Sequence, residues 1–147
     1  MLELPGSVLF ACSHNAIRSP MAESMLRYFH GRRIYVQSAG VRPTELDPFA
    51  AAVMDEIGID ITRHHPRSFD QLEDDYFDVV ISLSPEAQHS AVELTRTSHC
   101  ELLFWRMPDP SLVEGSRETR LDAYRNVRDL LMRRIRERFP LEGAPQL

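Results

Sequence analysis

Lysine is absent from this chain of 147 residues: its 17 basic side chains are all arginine, against 22 acidic ones. The formal net charge of −5 argues against nucleic acid as the main partner, because an acidic surface repels a phosphate backbone. Many of the arginines lie between residues 117 and 138, where we interpret them as the solvated face of a helix. We therefore predict no nucleic-acid partner.

Cysteine and long apolar runs are also scarce. The two cysteines, Cys12 and Cys100, do not make a disulfide framework, which favours a reducing compartment. No window approaches the roughly 20 apolar residues of a membrane span, and the first residues lack the basic start of a secretory signal. We expect a cytoplasmic protein with no membrane partner, and we interpret Cys100 as a core residue.

Histidine occurs at 6 positions, but not in a metal-binding arrangement. His64 and His65 are adjacent, which is not the i, i+4 spacing that brings two ligands to one face of a helix. The sequence therefore predicts no metal site and no cofactor.

The chain does contain a regular alternation of short apolar runs and helical patterns. The patterns predict strands at 7–11, 33–38, 77–83 and 100–105, and helices at 19–30, 48–57, 85–97 and 117–139. Such alternation is typical of a parallel sheet with helices on both faces. We predict a single doubly wound α/β domain over residues 1–147, with strand order 2-1-3-4 and a disordered tail from about residue 141.

The most informative stretch is FACSHNAIRS, residues 10–19, which leads from the first strand into the first helix. A short loop of this kind can turn its backbone N–H groups around one tetrahedral anion. Cys12 then lies beneath the anion, and Arg18 reaches over it from the helix. The predicted anion-binding residues are Ser13, His14, Asn15, Ala16, Ile17 and Arg18.

Each of these residues also has an ordinary structural interpretation. Cys12 would suit a buried apolar position at a strand end, but a helix N-terminus and an arginine stabilise a thiolate and favour a nucleophile. The positive charge of Arg18 in the first turn of a helix is disfavoured by the helix dipole. A bidentate contact to an oxyanion would offset this cost. Ser19 is predicted as the helix N-cap and as a donor to the thiolate, and Asn15 as a left-handed loop residue. His14 either lines the mouth of the loop or lies exposed.

Asp109 precedes a proline in the polar loop 106–116, which follows the fourth strand. In a parallel sheet this loop and the loop after Cys12 lie at the same edge, where ligands bind. An Asp-Pro pair is common in ordinary turns. Opposite a thiolate, however, a carboxylic acid can protonate a departing alkoxide or phenoxide and then activate water. Asp109 is therefore the candidate general acid.

VLFACSHNAIRSPMAE resembles the signature of the low-molecular-weight protein tyrosine phosphatases and of the arsenate reductases that share their fold. QSAG at 37–40, HHPRSF at 64–69, FDVVISL at 77–83, PDP at 108–110 and AYRNVRDLL at 123–131 agree with it. The resemblance implies a nucleophile, a phosphate clamp and an acid-base group, which are Cys12, Arg18 and Asp109 in this sequence. It also implies supports for the loop, which are Asn15, Ser19 and, behind the loop, His64.

Departures from the resemblance concern the substrate. Ile17 stands where phosphatases of this family usually carry a second cysteine, so peroxide should drive Cys12 to sulfenic acid and beyond. Ser111 and Leu112 replace the tyrosines that follow Asp-Pro in eukaryotic members, and the aromatic residue expected near Thr44 is missing. These departures weaken the case for phosphotyrosine specificity.

Three hypotheses follow. The first is a phosphatase that hydrolyses phosphotyrosine or small aryl phosphates through a phosphocysteine, as a monomer or weak homodimer. Its partner would be a phosphorylated protein or a small-molecule phosphate. The second is an arsenate reductase that uses Cys12 and glutathione or another small thiol, because the additional cysteines of thioredoxin-linked reductases are missing at Ser84 and Ala91. The third is a non-catalytic anion-binding or redox-sensing module, against which the presence of an acid argues.

Overall fold

A computed structural model of the chain describes residues 4–96 and 98–141. The strands are β1 (Ser7–Cys12), β2 (Tyr35–Gly40), β3 (Val79–Ser82) and β4 (Glu101–Phe104). The helices are α1 (Arg18–His30), α2 (Pro48–Asp55), α3 (Pro85–Leu94) and α4 (Arg117–Arg138). Short 3₁₀ helices at Phe69–Gln71 and Pro110–Leu112 lie in loops. The alternation of strands and helices confirms the predicted α/β class.

The strands form one parallel sheet in the order β2-β1-β3-β4, as the sequence predicts. Val8 of β1 lies between Val36 of β2 and Val79 of β3. The chain leaves β1 for β2 on one side and later returns to β3 on the other side. The C-terminal end of β1 is therefore a switch point, which is where ligands bind in open α/β sheets. Cys12 is the last residue of this strand.

Side chains of β1 alternate between the two faces of the sheet, as the pleat of a strand requires. Val8, Phe10 and Cys12 belong to the larger buried cluster, which also contains residues of α1, α2 and α4. Leu9 belongs to a smaller cluster on the opposite face, together with Ala91 of α3. Helices therefore cover both faces of the sheet, and Cys12 points to the side of α1 and α4.

Capping residues explain where several helices begin. The carboxylate of Asp47 accepts hydrogen bonds from the first turn of α2, and the hydroxyl groups of Ser84 and Ser116 do the same for α3 and α4. The predicted Ser19 N-cap is wrong. Helix α1 begins one residue earlier, with Ile17 at the N-cap position and no side-chain cap. Because the preceding loop is tight, the carbonyl of Ile17 already accepts the first helical hydrogen bond, from Met21 at 3.1 Å.

Strand β2 begins two residues later than its apolar pattern predicts. The backbone N–H groups of Arg33 and Ile34 both donate to the carbonyl of His30, which closes α1 with a turn. Pairing with β1 then starts at Tyr35, opposite Ser7. Arg33 and Ile34, the first two residues of the predicted strand, therefore belong to the turn that ends α1.

The ends of the chain add little to this description. The predicted tail at about residue 141 onwards lies outside the described residues, except for Leu141. Within residues 4–96 and 98–141, none of the helices has the length and apolar character needed to cross a membrane.

Candidate active site

The loop from Cys12 to Arg18 turns its carbonyl groups outward. Those of Cys12, Ser13, His14 and Ala16 accept hydrogen bonds of 2.8 to 3.1 Å from the N–H groups of residues 41, 42, 44 and 47. Because a trans peptide is planar, each following N–H group points the opposite way. The N–H of Asn15 follows this rule and donates to the sulfur of Cys12 at 3.2 Å. The loop therefore forms a concave arrangement of amides around the sulfur, which suits an anion.

Asn15 holds this curvature in place. Its φ of 52° lies in the left-handed region, as the sequence predicts, and its side chain is fully buried. Gly40 approaches so closely that a Cβ there would come within 2.6 Å of the Asn15 nitrogen. The loop thus depends on a residue that tolerates positive φ and on a neighbour without a side chain.

Cys12 is 2% exposed, and its sulfur lies 2.8 Å from the hydroxyl oxygen of Ser19. The amide Nδ2 of Asn15 donates to the same hydroxyl oxygen at 2.8 Å. With that lone pair occupied, the hydroxyl proton of Ser19 is available to the sulfur. The predicted contact between Ser19 and Cys12 is therefore present, although the predicted helix cap is not.

A buried polar network supports Asn15 from behind. Its Nδ2 also donates to Ser38 at 2.9 Å, and its Oδ1 accepts from His64 Nε2 at 3.0 Å and from the Arg67 backbone at 2.9 Å. The hydroxyl of Ser38 donates in turn to the carboxylate of Glu23. Glu23 is 3% exposed, and its carboxylate forms an ion pair with Arg27 of α1. The loop therefore rests on α1, β2 and the segment before the first 3₁₀ helix.

His64 lies where the resemblance implies. Burial lowers its pKa, and the nearby charge of Glu23, whose Oε1 is 3.6 Å from His64 Nδ1, opposes that shift. Because the net shift is downward, His64 is a neutral hydrogen-bond donor to Asn15 near pH 7. It contributes to the network mainly through this hydrogen bond.

The sequence patterns do not assign a role to Glu23, Ser38 or Arg67. Glu23 carried a signal, because it is an acidic residue between the apolar pairs MA and ML of a buried helix face. A buried carboxylate needs partners. Which partners it finds depends on how β2 and the segment 64–67 pack against α1.

Arg18 is 7% exposed, and its guanidinium donates to the carbonyl of Met107 at 3.1 Å. Met107 follows β4, so this hydrogen bond ties the loop after β1 to the loop after β4. A cleft between these loops is lined by Cys12, His14, Ala16, Ile17, Arg18 and Asp109. The structure thus brings together all three predicted catalytic residues, and His14 lines the same cleft.

Asp109 is partly exposed and is held by its own turn. Its Oδ1 accepts from the backbone N–H of Ser111 at 3.0 Å and from the Ser111 hydroxyl at 2.6 Å. Both hydrogen bonds use the same oxygen, and the carboxyl group lines the cleft. Leu112, which follows Ser111, is 77% exposed. The described residues that line the cleft include no aromatic side chain, in keeping with the missing aromatic walls.

Two further residues of the predicted anion-binding loop, Ser13 and His14, contact neighbouring segments. The Ser13 hydroxyl donates to Ser84 at 3.1 Å, and His14 Nδ1 lies 3.0 Å from the carbonyl of Arg42. These contacts fix the outer side of the loop. Within the described part of the chain, no group of three or more metal-ligating side chains is close enough to hold a metal ion.

The second cysteine lies far from the first. Phe104 pairs with Ser82, which pairs with Ala11, so the end of β4 is level with the end of β1. Cys100 precedes β4, roughly 15 Å back along the strand direction. A disulfide requires Cα atoms within about 7 Å. Cys12 therefore has no intramolecular partner for a disulfide in this fold.

Comparisons with known proteins find relatives along nearly the whole chain. The model of the family described as low molecular weight phosphotyrosine protein phosphatase matches residues 7–140. Arsenate reductase of Halalkalibacterium halodurans is 34% identical over 130 residues, which cover 88% of this chain and 91% of that protein. Glutaredoxin arsenate reductase of Synechocystis is 32% identical over 130 residues, covering 87% and 92%.

Solved structures show the same fold. The Erwinia amylovora tyrosine phosphatase amsI superposes with a TM-score of 0.75 at 18% identity, covering 92% of this chain and 91% of that one. An arsenate reductase in the phosphate binding state superposes with a TM-score of 0.68 at 28% identity, covering 89% and 94%. Phosphatases and arsenate reductases thus both occur among the proteins that this chain is similar to.

Proposed function

This chain belongs to the low molecular weight phosphotyrosine protein phosphatase family, and on that premise we propose that it hydrolyses aryl phosphate monoesters through a phosphocysteine at Cys12. The observation that carries the proposal is the cleft in which Asp109 and Arg18 line the same space as the only nearby thiol. A sulfur nucleophile, a cation for the phosphoryl oxygens and an acid for the leaving group are the parts that this reaction needs.

The proposed reaction has two steps. The Cys12 thiolate attacks phosphorus, and the bond to the leaving oxygen breaks while Asp109 supplies its proton. Arg18 and the inward N–H groups of the loop stabilise the charge on the three other oxygens. In the second step Asp109 takes a proton from water, whose oxygen attacks phosphorus. The sulfur–phosphorus bond then breaks and releases phosphate and the thiolate.

Arsenate reduction is the second candidate, and the names of the curated relatives favour it over the phosphatase. In this reaction Cys12 would displace water or hydroxide from arsenate. A small external thiol would then form a disulfide with the Cys12 sulfur, and the electron pair of the sulfur–arsenic bond would leave with arsenite. A second molecule of the external thiol would reduce this mixed disulfide, which releases the oxidised small thiol and restores the Cys12 thiolate. The reductant has to be external, because Cys100 lies too far from Cys12 for an intramolecular disulfide.

The third hypothesis, a non-catalytic module, gains no support from the comparisons, because the curated relatives are reductases and the family is one of phosphatases. The choice between the first two turns on the thiols. The cleft supplies the thiol and the acid that hydrolysis needs, whereas reduction also needs an external thiol. The geometry therefore favours hydrolysis, whereas the relatives' names favour reduction.

One experiment separates the two. The purified protein is assayed in parallel with p-nitrophenyl phosphate and with arsenate plus glutathione, with arsenite and oxidised glutathione measured in the second arm. We expect hydrolysis in the first arm that is lost in Cys12→Ser, and acid quenching should trap a phosphoryl group on the wild-type protein. Thiol oxidation that depends on arsenate, without hydrolysis, would overturn the phosphatase proposal in favour of the reductase.

A further inference from the structure

Two arginines in the first turns of α4 stack on one aromatic ring. The guanidinium carbons of Arg117 and Arg120 lie 5.0 Å and 4.7 Å from the centre of the Phe49 ring. Contacts of this type fix a guanidinium in place and leave its N–H groups at the edge of the plane for an anion. Both arginines are exposed.

Phe49, on which the two arginines stack, is connected to the cleft through two neighbouring residues. The Phe49 ring is 5.4 Å from the Tyr124 ring, and the Tyr124 hydroxyl donates to Asp47 at 2.8 Å. The backbone N–H of Asp47 donates to Ala16, which lines the cleft. On the other side, the 3₁₀ helix that follows Asp109 packs against α4. The arginine pair is therefore connected through Phe49, Tyr124 and Asp47 to the cleft wall at Ala16.

The charges around Tyr124 agree with this placement. Burial and the hydrogen bond to Asp47 raise the pKa of Tyr124, and the charge of Asp109 adds to the increase. The charge of Arg120 acts in the opposite direction on the same phenol. Asp109 and Arg120 are thus both close enough to Tyr124 to affect its ionisation.

Later arginines of α4 show what is unusual about this pair. Arg125 contacts carboxylates of Glu56, Glu118 and Asp122, and Arg128 contacts Glu56 and Asp129. By contrast, within residues 4–96 and 98–141 neither Arg117 nor Arg120 forms an ion pair with a carboxylate. Glu118 lies between them in sequence, yet its carboxylate is 2.7 Å from Arg125.

We propose that Arg117 and Arg120 form a subsite for an acidic side chain of the substrate, next to the phosphoryl group held over Cys12. The protein carries a net charge of −5, so its surface as a whole would repel an acidic phosphopeptide. A cationic rim beside the cleft reverses that effect locally and aids encounter. This inference rests on the proposed phosphatase function and narrows its aryl phosphate substrate to one with an acidic group beside the phosphoryl group, for which a phosphotyrosine flanked by acidic residues is the probe.

The test compares two phosphotyrosine peptides that differ only in having glutamate or glutamine beside the phosphotyrosine. The variant carries Arg117→Gln and Arg120→Gln. The matched control carries Arg133→Gln and Arg134→Gln, which remove the same charge from exposed positions of the same helix, about 20 Å away. A third variant, with Arg117→Lys and Arg120→Lys, retains the charge.

We expect the Arg117/Arg120 glutamine variant to lower kcat/KM for the glutamate peptide roughly three- to tenfold. The change should be in KM, with kcat and p-nitrophenyl phosphate turnover unchanged. It should shrink at high salt, and the lysine variant should restore most of the affinity. An equal fall for the glutamine peptide, or the same fall in the Arg133/Arg134 control, would overturn the proposal.

A failure of the proposed function would be recognised separately. If the wild-type protein hydrolyses neither peptide, binding of the fluorescently labelled glutamate peptide is measured by anisotropy for both glutamine variants. Weaker binding in the Arg117/Arg120 variant alone supports the subsite even then. Equal binding by the two variants rejects it.

Discussion

The two sides of the cleft are built in different ways. On the nucleophile side, Asn15 is fully buried and contacts Ser19, Ser38, His64 and the Arg67 backbone, which come from three separate parts of the chain. On the acid side, the side-chain hydrogen bonds of Asp109 go to Ser111, two residues away, and Leu112 projects into solvent. The first side depends on tertiary structure, and the second on a local turn.

The difference implies that the buried loop around Cys12 is constrained by the fold, whereas the surface turn around Asp109 is free to differ with the binding requirements of different substrates. A loop held by many long-range hydrogen bonds cannot change one residue without disturbing the others. A local turn at the surface tolerates substitution more readily. We therefore expect substitutions on the acid side to change substrate preference without affecting folding. Substitutions on the nucleophile side should affect folding as well as activity.

Of the substitutions that test this difference between the two sides, Asp109→Asn should have the largest effect on activity. Loss of the general acid should reduce kcat for phenyl phosphate by roughly 10² to 10³-fold, and kcat for p-nitrophenyl phosphate much less, because its leaving group needs little protonation. The asparagine side chain can still accept from Ser111, so the melting temperature should change little. Unchanged turnover of phenyl phosphate would remove Asp109 from the mechanism.

Substitution of Asn15 should show the opposite pattern. Asn15→Ala leaves several buried partners without a hydrogen bond and forces a positive φ on a residue with a Cβ, so the free energy of unfolding should fall by about 3 kcal/mol. Asn15→Gly loses the same hydrogen bonds but adopts positive φ without strain, and should be about 1 kcal/mol more stable than the alanine variant. Urea unfolding followed by circular dichroism measures both.

The two variants also serve as each other's control. Equal stability of Asn15→Ala and Asn15→Gly would show that the left-handed backbone contributes nothing. Stability equal to that of the wild type in both would show that the nucleophile side is no more dependent on tertiary contacts than the acid side.

The smallest expected effect is a pH dependence of stability that originates on the nucleophile side. Burial lowers the pKa of His64 in the folded chain below its ordinary value of 6.5, so near and below that pH the unfolded chain binds the proton more readily. The contribution of neutral His64 to stability is therefore complete above about pH 6.5 and is lost as the pH falls.

Urea unfolding at several pH values between 5 and 8 tests this expectation. His64→Gln keeps a hydrogen-bond donor but does not titrate, so its stability should fall less steeply with decreasing pH than that of the wild type. Parallel pH profiles for the two proteins would contradict the assignment.

Much of the fold could be predicted from local patterns. Apolar runs and helical periodicity predict the strands and helices, because both patterns reflect which side of an element faces the core. The errors have equally specific causes. Serine is a common helix cap, which predicts Ser19 at that position, but its hydroxyl lies 2.8 Å from the Cys12 sulfur instead.

The sequence by itself determined where the candidate anion-binding loop lies, because Cys12 and Arg18 enclose a short strand-to-helix loop whose backbone N–H groups can turn around an anion. The order of elements likewise placed Asp109 at the same edge of the sheet. Only the tertiary structure decided what supports the loop and what surrounds its mouth. Glu23 meets His64, and Arg120 lies over Phe49, because separate segments pack together, and no local pattern in a single sequence records such distant contacts.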